Sequence, residues 1–223
     1  MNTATRDLLP LSLHRALTWP AGLGWLAALI GYFGPWAGHP AAALAWNAHD
    51  LPEIVRLLPQ VESGALAVNL QALRLPLIAL ALVIPLLLVR ASPGWRWGAS
   101  LLGMALTAST LPPYPQIVTA WRTPAWRVTF WWGVGATLGC PLSAWLAPHL
   151  GRLRPWLIVG EVTWLGIPAF VTFSRLKPAL RALHGAPVRV GWGVVVCALG
   201  LLSLSVSAWL EGWIFARREH DGL

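Results

Sequence analysis

Apolar residues occur along this chain in long, nearly uninterrupted runs, without the strict alternation that is typical of half-buried strands. A run of roughly 20 apolar residues is long enough to cross the hydrocarbon core of a bilayer as a helix. Backbone amides in lipid must be hydrogen-bonded within the protein, so such runs predict helices. The sequence therefore predicts an all-α, polytopic transmembrane bundle that forms a single membrane domain over residues 1–223. The predicted spans are about 16–36, 66–89, 97–112, 128–147, 156–174 and 192–215.

The third apolar run is shorter than the others. Only 15 residues, Trp97 to Leu111, precede Pro112 and Pro113. A helix of that length extends about 22 Å, whereas the hydrocarbon core is about 30 Å thick. Six spans are the preferred prediction, and five spans with 97–112 re-entrant are the alternative.

The composition supports a membrane location and argues against nucleic acid as a partner. Hydrophobic residues make up 57% of the chain and charged residues 11%, whereas a soluble domain carries about 25% charged residues. The 16 Lys and Arg residues exceed the 8 Asp and Glu residues, but they fall mostly in short connections between runs. Insertion and anionic headgroups favour cations at such positions, so the predicted partner is the lipid bilayer.

The connection between the first two runs indicates the orientation. Residues 37–64 contain Asp50, Glu53 and Glu62 but only one basic residue, Arg56. For six spans the Lys and Arg residues of the whole chain, eight on the amino-terminal side and seven on the other, do not decide the orientation. Because the first helix usually dominates the orientation, this acidic loop is expected outside. The prediction is a multi-pass protein of a bacterial-type inner membrane with a cytoplasmic amino terminus. The five-span alternative keeps that orientation but inverts everything after residue 112.

Two connections and one span carry patterns that predict packing. Apolar positions in 51–61 and again in 175–184 recur at helical spacing, which predicts a short helix on the membrane surface at each place. Gly135 and Gly139 form a G-x-x-x-G pattern in the fourth span, and small residues at that spacing favour close helix contact.

Three ionisable residues fall inside predicted spans: Arg74, Glu161 and Glu211. Such groups cost several kcal/mol in a bilayer unless they are paired or hydrated, so they are candidates for an intramembrane polar site. In the six-span arrangement Glu161 and Glu211 enter from the same membrane face at similar depth, where two carboxylates can share a proton or bind a cation. The alternative is that each carboxylate reaches an arginine at the nearby interface, Glu211 towards Arg217 or Arg218 and Glu161 towards Arg152 or Arg154.

A weaker candidate site lies in the predicted outer loop, which contains His39, His49, Asp50 and Glu53. His49 and Glu53 have the i, i+4 spacing that places two ligands on one helix face, although Pro52 intervenes. The spacing is common, so no metal or other cofactor is predicted. Motifs for zinc proteases, serine hydrolases and phosphate loops do not occur in the sequence.

Small loops and the lack of catalytic motifs favour a component of a larger assembly. The predicted function is a non-catalytic, permease-like or accessory subunit of a membrane transport complex. Its partners would be other membrane subunits or a soluble ATPase, because the chain has no phosphate loop of its own. The alternatives are a membrane-embedded enzyme acting at the bilayer interface and a structural or assembly subunit of a membrane complex.

Overall fold

The computed structural model describes residues 11–38, 45–66, 68–184 and 188–220. The fold is mostly helical. The helices are α1 Leu11–Phe33, α2 Leu51–Arg56, α3 Pro59–Glu62, α4 Leu75–Leu87, α5 Pro93–Ala108, α6 Gln116–Thr119, α7 Pro124–Leu146, α8 Leu153–His184 and α9 Trp192–His220. Two short 3-10 helices, Leu70–Arg74 and Ala147–His149, precede α4 and follow α7. Strands β1 Pro35–Gly38, β2 Ala45–Asn47 and β3 Arg189–Val190 form one small sheet.

The six long helices, α1, α4, α5, α7, α8 and α9, run alternately in opposite directions. We call the end with the α1–α4, α5–α7 and α8–α9 connections the distal end, and the end where α1 begins and α9 ends the proximal end. At the distal end, Arg74 Nη1 before α4 donates to the carbonyl oxygen of Thr110 after α5, at 2.7 Å. At the proximal end, Arg154 Nη1 at the start of α8 donates to the carbonyl oxygen of Leu86 in α4, at 3.3 Å.

Four helical segments are long and apolar enough to span a membrane: 16–33, 70–87, 153–182 and 192–217. The all-α membrane class is therefore supported, whereas the count of six spans is not confirmed. Helix α5 has only 16 residues, about 24 Å at the rise of an α-helix. Helix α7 has 23 residues, but its tryptophans and Arg127 lower its mean hydropathy.

The two predicted surface helices differ from the sequence-based expectation. Residues 175–184 are not a separate helix, because α8 continues through them as one helix of 32 residues. Residues 51–61 form two helices, and the break falls at Leu58, whose extended backbone is the conformation that a following proline, here Pro59, favours. Leu51, Val55 and Leu58 are buried, so this segment packs against the rest of the fold.

Helix α4 is the central helix of the bundle. The segment 70–87 is 78% buried, compared with 28% for the span in α1. Pro85 has no amide hydrogen to donate to the carbonyl of Ala81, one turn earlier. That carbonyl oxygen accepts instead from the Cys140 thiol of α7 at 3.7 Å, and Gly103 of α5 lies against it.

Helices α1 and α9 pack so closely that only glycine fits at several positions along their contact. A Cβ atom at Gly31 would lie 2.2 Å from the backbone nitrogen of Cys197, and one at Gly200 would lie 2.3 Å from that of Ala28. Small residues permit such an approach between membrane helices. Of the predicted pair in α7, Gly139 lies against α4, since a Cβ atom there would be 2.9 Å from Leu82 Cδ2, whereas a Cβ atom at Gly135 would meet nothing within 4 Å.

The small sheet closes the distal end of the bundle. Its strand order is β2-β1-β3, and β1 pairs with both neighbours in antiparallel register. Trp36 in β1 is fully buried, stacks on Phe170 of α8 with ring centroids 5.5 Å apart, and donates from Nε1 to the Gly31 carbonyl oxygen at 3.0 Å. The sheet thereby joins the ends of α1, α8 and α9.

Candidate functional site

The distal polar cluster, which we define as Tyr32, His49, Glu53, Gln71 and Arg74, lies where α1, α2 and the 3-10 helix before α4 meet. Arg74 is 4% exposed and pairs with the carboxylate of Glu53 in α2. The same guanidinium donates to the Thr110 carbonyl oxygen after α5. Two residues predicted for separate sites, Arg74 in a span and Glu53 in the outer loop, therefore form one ion pair.

Several polar atoms of this cluster are buried without a hydrogen-bond partner among the described residues. They are the Tyr32 hydroxyl, His49 Nδ1, Gln71 Nε2 and Arg74 Nε. Tyr32 is fully buried and Gln71 is 7% exposed. Buried polar groups in proteins are almost always satisfied by protein, water or a bound molecule. The four atoms include two obligate donors, so the cluster is suited to a molecule with hydrogen-bond acceptors.

His49 lies against the aromatic end of α1. Its ring centroid is 6.5 Å from that of Tyr32 and 5.9 Å from that of Phe33. Burial lowers the pKa of His49 more than the neighbouring Asp50 carboxylate raises it, so the imidazole is neutral at pH 7. The described residues contain no group of three or more His, Cys, Asp and Glu side chains that could hold a metal ion. His39 lies outside the described residues.

Arg56 connects the edge of the cluster to α7. Its guanidinium carbon lies 3.7 Å above the centre of the Trp126 ring. A guanidinium in this position is attracted by the negative face of the indole. The segment around the distal polar cluster is therefore held by α1, α4, α5 and α7 together.

The second set of predicted residues lies at the proximal end. Glu211 of α9 pairs with Arg154 of α8, and the two side chains are only 10% and 7% exposed. Arg154 also donates to the Leu86 carbonyl oxygen, so one guanidinium joins α4, α8 and α9. The alternative partners predicted from the sequence were Arg217 or Arg218 for Glu211 and Arg152 or Arg154 for Glu161. The observed pairing of Glu211 with Arg154 differs from both assignments.

The structure does not bring Glu161 and Glu211 into contact. Glu161 Oε2 is buried and makes no hydrogen bond with a described residue, whereas Glu211 faces Arg154. The hypothesis of two carboxylates sharing a proton or a cation therefore has no support from this geometry. Glu161 remains an intramembrane carboxylate without an assigned partner.

Sequence reasoning missed Tyr32 and Gln71 as members of the distal polar cluster. Tyr32 lies inside an apolar run. The signal in the sequence was a residue with a hydroxyl group near the end of a predicted span. Gln71 lies three residues before Arg74 in the same 3-10 helix, which Asn69 caps by accepting from the Gln71 amide at 3.1 Å. A second polar residue at that spacing was the signal for Gln71.

No protein-family model, curated protein or solved structure matches this chain. The candidate site is therefore described by its geometry alone. It contains an ion pair between a buried arginine and a partly exposed glutamate, a half-buried imidazole, and buried polar atoms that lack a hydrogen-bond partner among the described residues. Such groups can bind and orient a polar molecule.

Proposed function

We propose that this chain is a multi-spanning membrane protein in which all six long helices cross the bilayer, and that it serves as a non-catalytic, permease-like or accessory subunit of a membrane transport complex. The amino terminus is cytoplasmic, so the proximal end faces the cytoplasm and the distal end faces outward. The distal polar cluster is the functional site.

The proposal that α5 and α7 cross the bilayer is supported by the contacts of the segment that connects them. Thr110 accepts from Arg74, which directly precedes α4, and Trp126 lies under Arg56. If α4 crosses the bilayer, these contacts hold the α5–α7 connection at the distal surface. Both helices then traverse the same depth as α4, and a short helix is accommodated by local thinning of the bilayer. Large apolar side chains on their outer faces, including Leu101 and Trp131, are exposed as expected for lipid contact.

The orientation is supported by the acidic connection that follows the first long helix, whereas the Lys and Arg residues of the whole chain are nearly balanced between the two ends, eight against seven. The distal connection between α1 and α4 carries Asp50 and Glu53. The proximal connections carry Arg90, Arg96 and Arg152. Basic residues are retained on the cytoplasmic side during insertion.

The observation that carries the proposed role is the set of unsatisfied atoms in the distal polar cluster. A hydroxyl, an amide and a guanidinium nitrogen that find no hydrogen-bond partner in the described part of the chain are costly in a buried site, so a role in binding accounts for their presence. The described residues form the helix bundle and its short connections. This simple architecture favours a subunit of a larger complex over a transporter that works alone. An interface enzyme is the alternative, and it would use His49 as its acid or base.

The test begins with the tagged chain purified from its own membrane in a mild detergent. We expect a second membrane subunit or a soluble ATPase to migrate with it at a fixed ratio in size-exclusion chromatography. Glu53→Gln removes the charge opposite Arg74 and should lower transport by the complex in membrane vesicles while leaving the complex intact. Arg122→Gln is the matched control, because Arg122 is an exposed distal residue that lies over Trp121 outside the cluster.

Two results would contradict the proposal. One is a chain that migrates alone after gentle extraction. The other is a Glu53→Gln complex that transports as well as the Arg122→Gln complex. Substrate turnover by the purified chain alone would support the enzyme alternative instead.

A further inference from the structure

A groove of about 560 Å³ lies on the membrane-facing surface between the proximal halves of α1 and α4. Helix α1 contributes Thr18, Trp19, Gly22, Leu23 and Leu26, which descend along one face of the helix. From Thr18 to Leu26 the axial distance is about 12 Å. The groove thus runs along the bundle axis, from the proximal end toward the middle of the bilayer.

The two ends of the groove differ in chemistry. Leu23 and Leu26 line its deep part, which is apolar. Arg90 and Thr18 line its proximal end, and Arg90 follows directly on the last turn of α4. Trp19 is exposed at the same level, where indole favours the headgroup region. An apolar channel with a cation and a hydroxyl at the interface matches the shape and polarity of one phospholipid.

The local charge favours an anionic headgroup. Among the described residues, Arg90 interacts electrostatically with the Glu211 carboxylate and lies close enough to a second guanidinium, that of Arg154, to interact with it as well. Basic pockets between membrane helices on the cytoplasmic side bind anionic lipid headgroups. We propose that the groove binds an anionic phospholipid, with its phosphate at Arg90 and Thr18 and an acyl chain along Gly22, Leu23 and Leu26.

Gly22 provides a way to block the groove without disturbing the fold. A Cβ atom at Gly22 would meet nothing within 4 Å, so a leucine side chain there extends into the groove. Gly160 in α8 is the matched control, since a Cβ atom there also meets nothing within 4 Å and Gly160 does not line the groove.

The experiment titrates delipidated protein with phosphatidylglycerol or phosphatidylcholine of identical acyl chains and counts bound lipids by native mass spectrometry. Wild-type protein should bind the first phosphatidylglycerol more tightly than the first phosphatidylcholine. Arg90→Gln should lower that affinity ratio about fivefold, the effect of one cation near a headgroup, and Arg90→Lys should retain it. Gly22→Leu should abolish the first binding step for both lipids.

The control variants Arg152→Gln and Gly160→Leu should bind both lipids as the wild type does. Arg152 is a proximal cation that does not line the groove. Equal affinity of the wild type for the two lipids would overturn the proposal. A Gly22→Leu protein that binds the first phosphatidylglycerol normally would also overturn it, because ordinary contact with surrounding lipid then explains the binding.

Discussion

The contact between α1 and α9 predicts a large difference between two glycine-to-alanine substitutions in the same helix. Gly31→Ala places a Cβ atom 2.2 Å from the backbone nitrogen of Cys197, where ordinary contact begins at 3.4 Å. Gly22→Ala, two turns and more away in α1, places its Cβ atom in open space. The first substitution must push two helices apart by about 1 Å, whereas the second displaces nothing.

The magnitude follows from two effects. Both variants gain the same helix propensity, roughly 1 kcal/mol for glycine to alanine in a helix interior. Overpacking costs about 1–3 kcal/mol, and the upper part of that range applies because backbone atoms cannot rotate away. Gly31→Ala should therefore be about 2–3 kcal/mol less stable than Gly22→Ala. For a chain of this size, such a difference lowers the melting temperature by roughly 4–12 °C.

The two native thiols supply the assay. Cys140 and Cys197 are free and fully buried, so a thiol-reactive fluorophore reports their exposure as detergent-solubilised protein is heated. In a Cys140→Ala background the signal comes from Cys197, which lies in the contact itself. Melting of Gly31→Ala at or above the temperature of Gly22→Ala would refute the close approach of α1 and α9.

Two further predictions concern the buried ion pair and the buried imidazole. Glu211→Gln should destabilise the protein by about 3–5 kcal/mol in detergent unfolding, because it leaves Arg154 buried without its counter-ion. The double substitution Arg154→Leu with Glu211→Leu should recover most of that loss, and equal stability of the single variant and wild type would contradict the pairing. The lowered pKa of His49 means that the unfolded chain binds a proton first as the pH falls. Melting temperature should therefore drop as the pH falls through about 6.5, the pKa of an unperturbed histidine, beyond the effects of Asp50, Glu53 and Arg74 that also face the ring. His49→Gln should flatten that dependence, whereas His149→Gln, at the exposed proximal end, should leave it unchanged.

The lengths of the apolar runs predicted the helices that are both long and apolar. The four segments long and apolar enough to span a membrane, 16–33, 70–87, 153–182 and 192–217, each overlap a predicted span, because spanning length is a local property of the chain. The structure of residues 175–184 could not be predicted from their local sequence alone. Their amphipathic spacing fits a surface helix, yet they continue α8, which runs for 32 residues without ending at Pro168 or Pro178.

The candidate site was predicted residue by residue but not as an assembly. Arg74 and Glu53 were both identified, yet 21 residues separate them in the chain, and only the fold shows that they pair. Arg154 and Glu211 are 57 residues apart, so the cost of burying a charge indicated a partner without naming it. The close approach of α1 and α9 was missed because it uses glycines of two helices rather than one G-x-x-x-G pattern.

The six-crossing arrangement is tested most directly by the location of the α5–α7 connection. Gln116 is exposed there, and Ser63 is exposed in the distal connection between α1 and α4. Both native cysteines are buried, so the wild type provides an unreactive background for an impermeant maleimide.

Cysteine placed at Ser63 or at Gln116 should react with this maleimide in intact cells, and cysteine at the proximal Ser92 should react only after lysis. Labelling of the Gln116 variant only after lysis, with the Ser63 variant labelled in intact cells, would contradict the account. In that case α5 and α7 do not carry their connection across the bilayer.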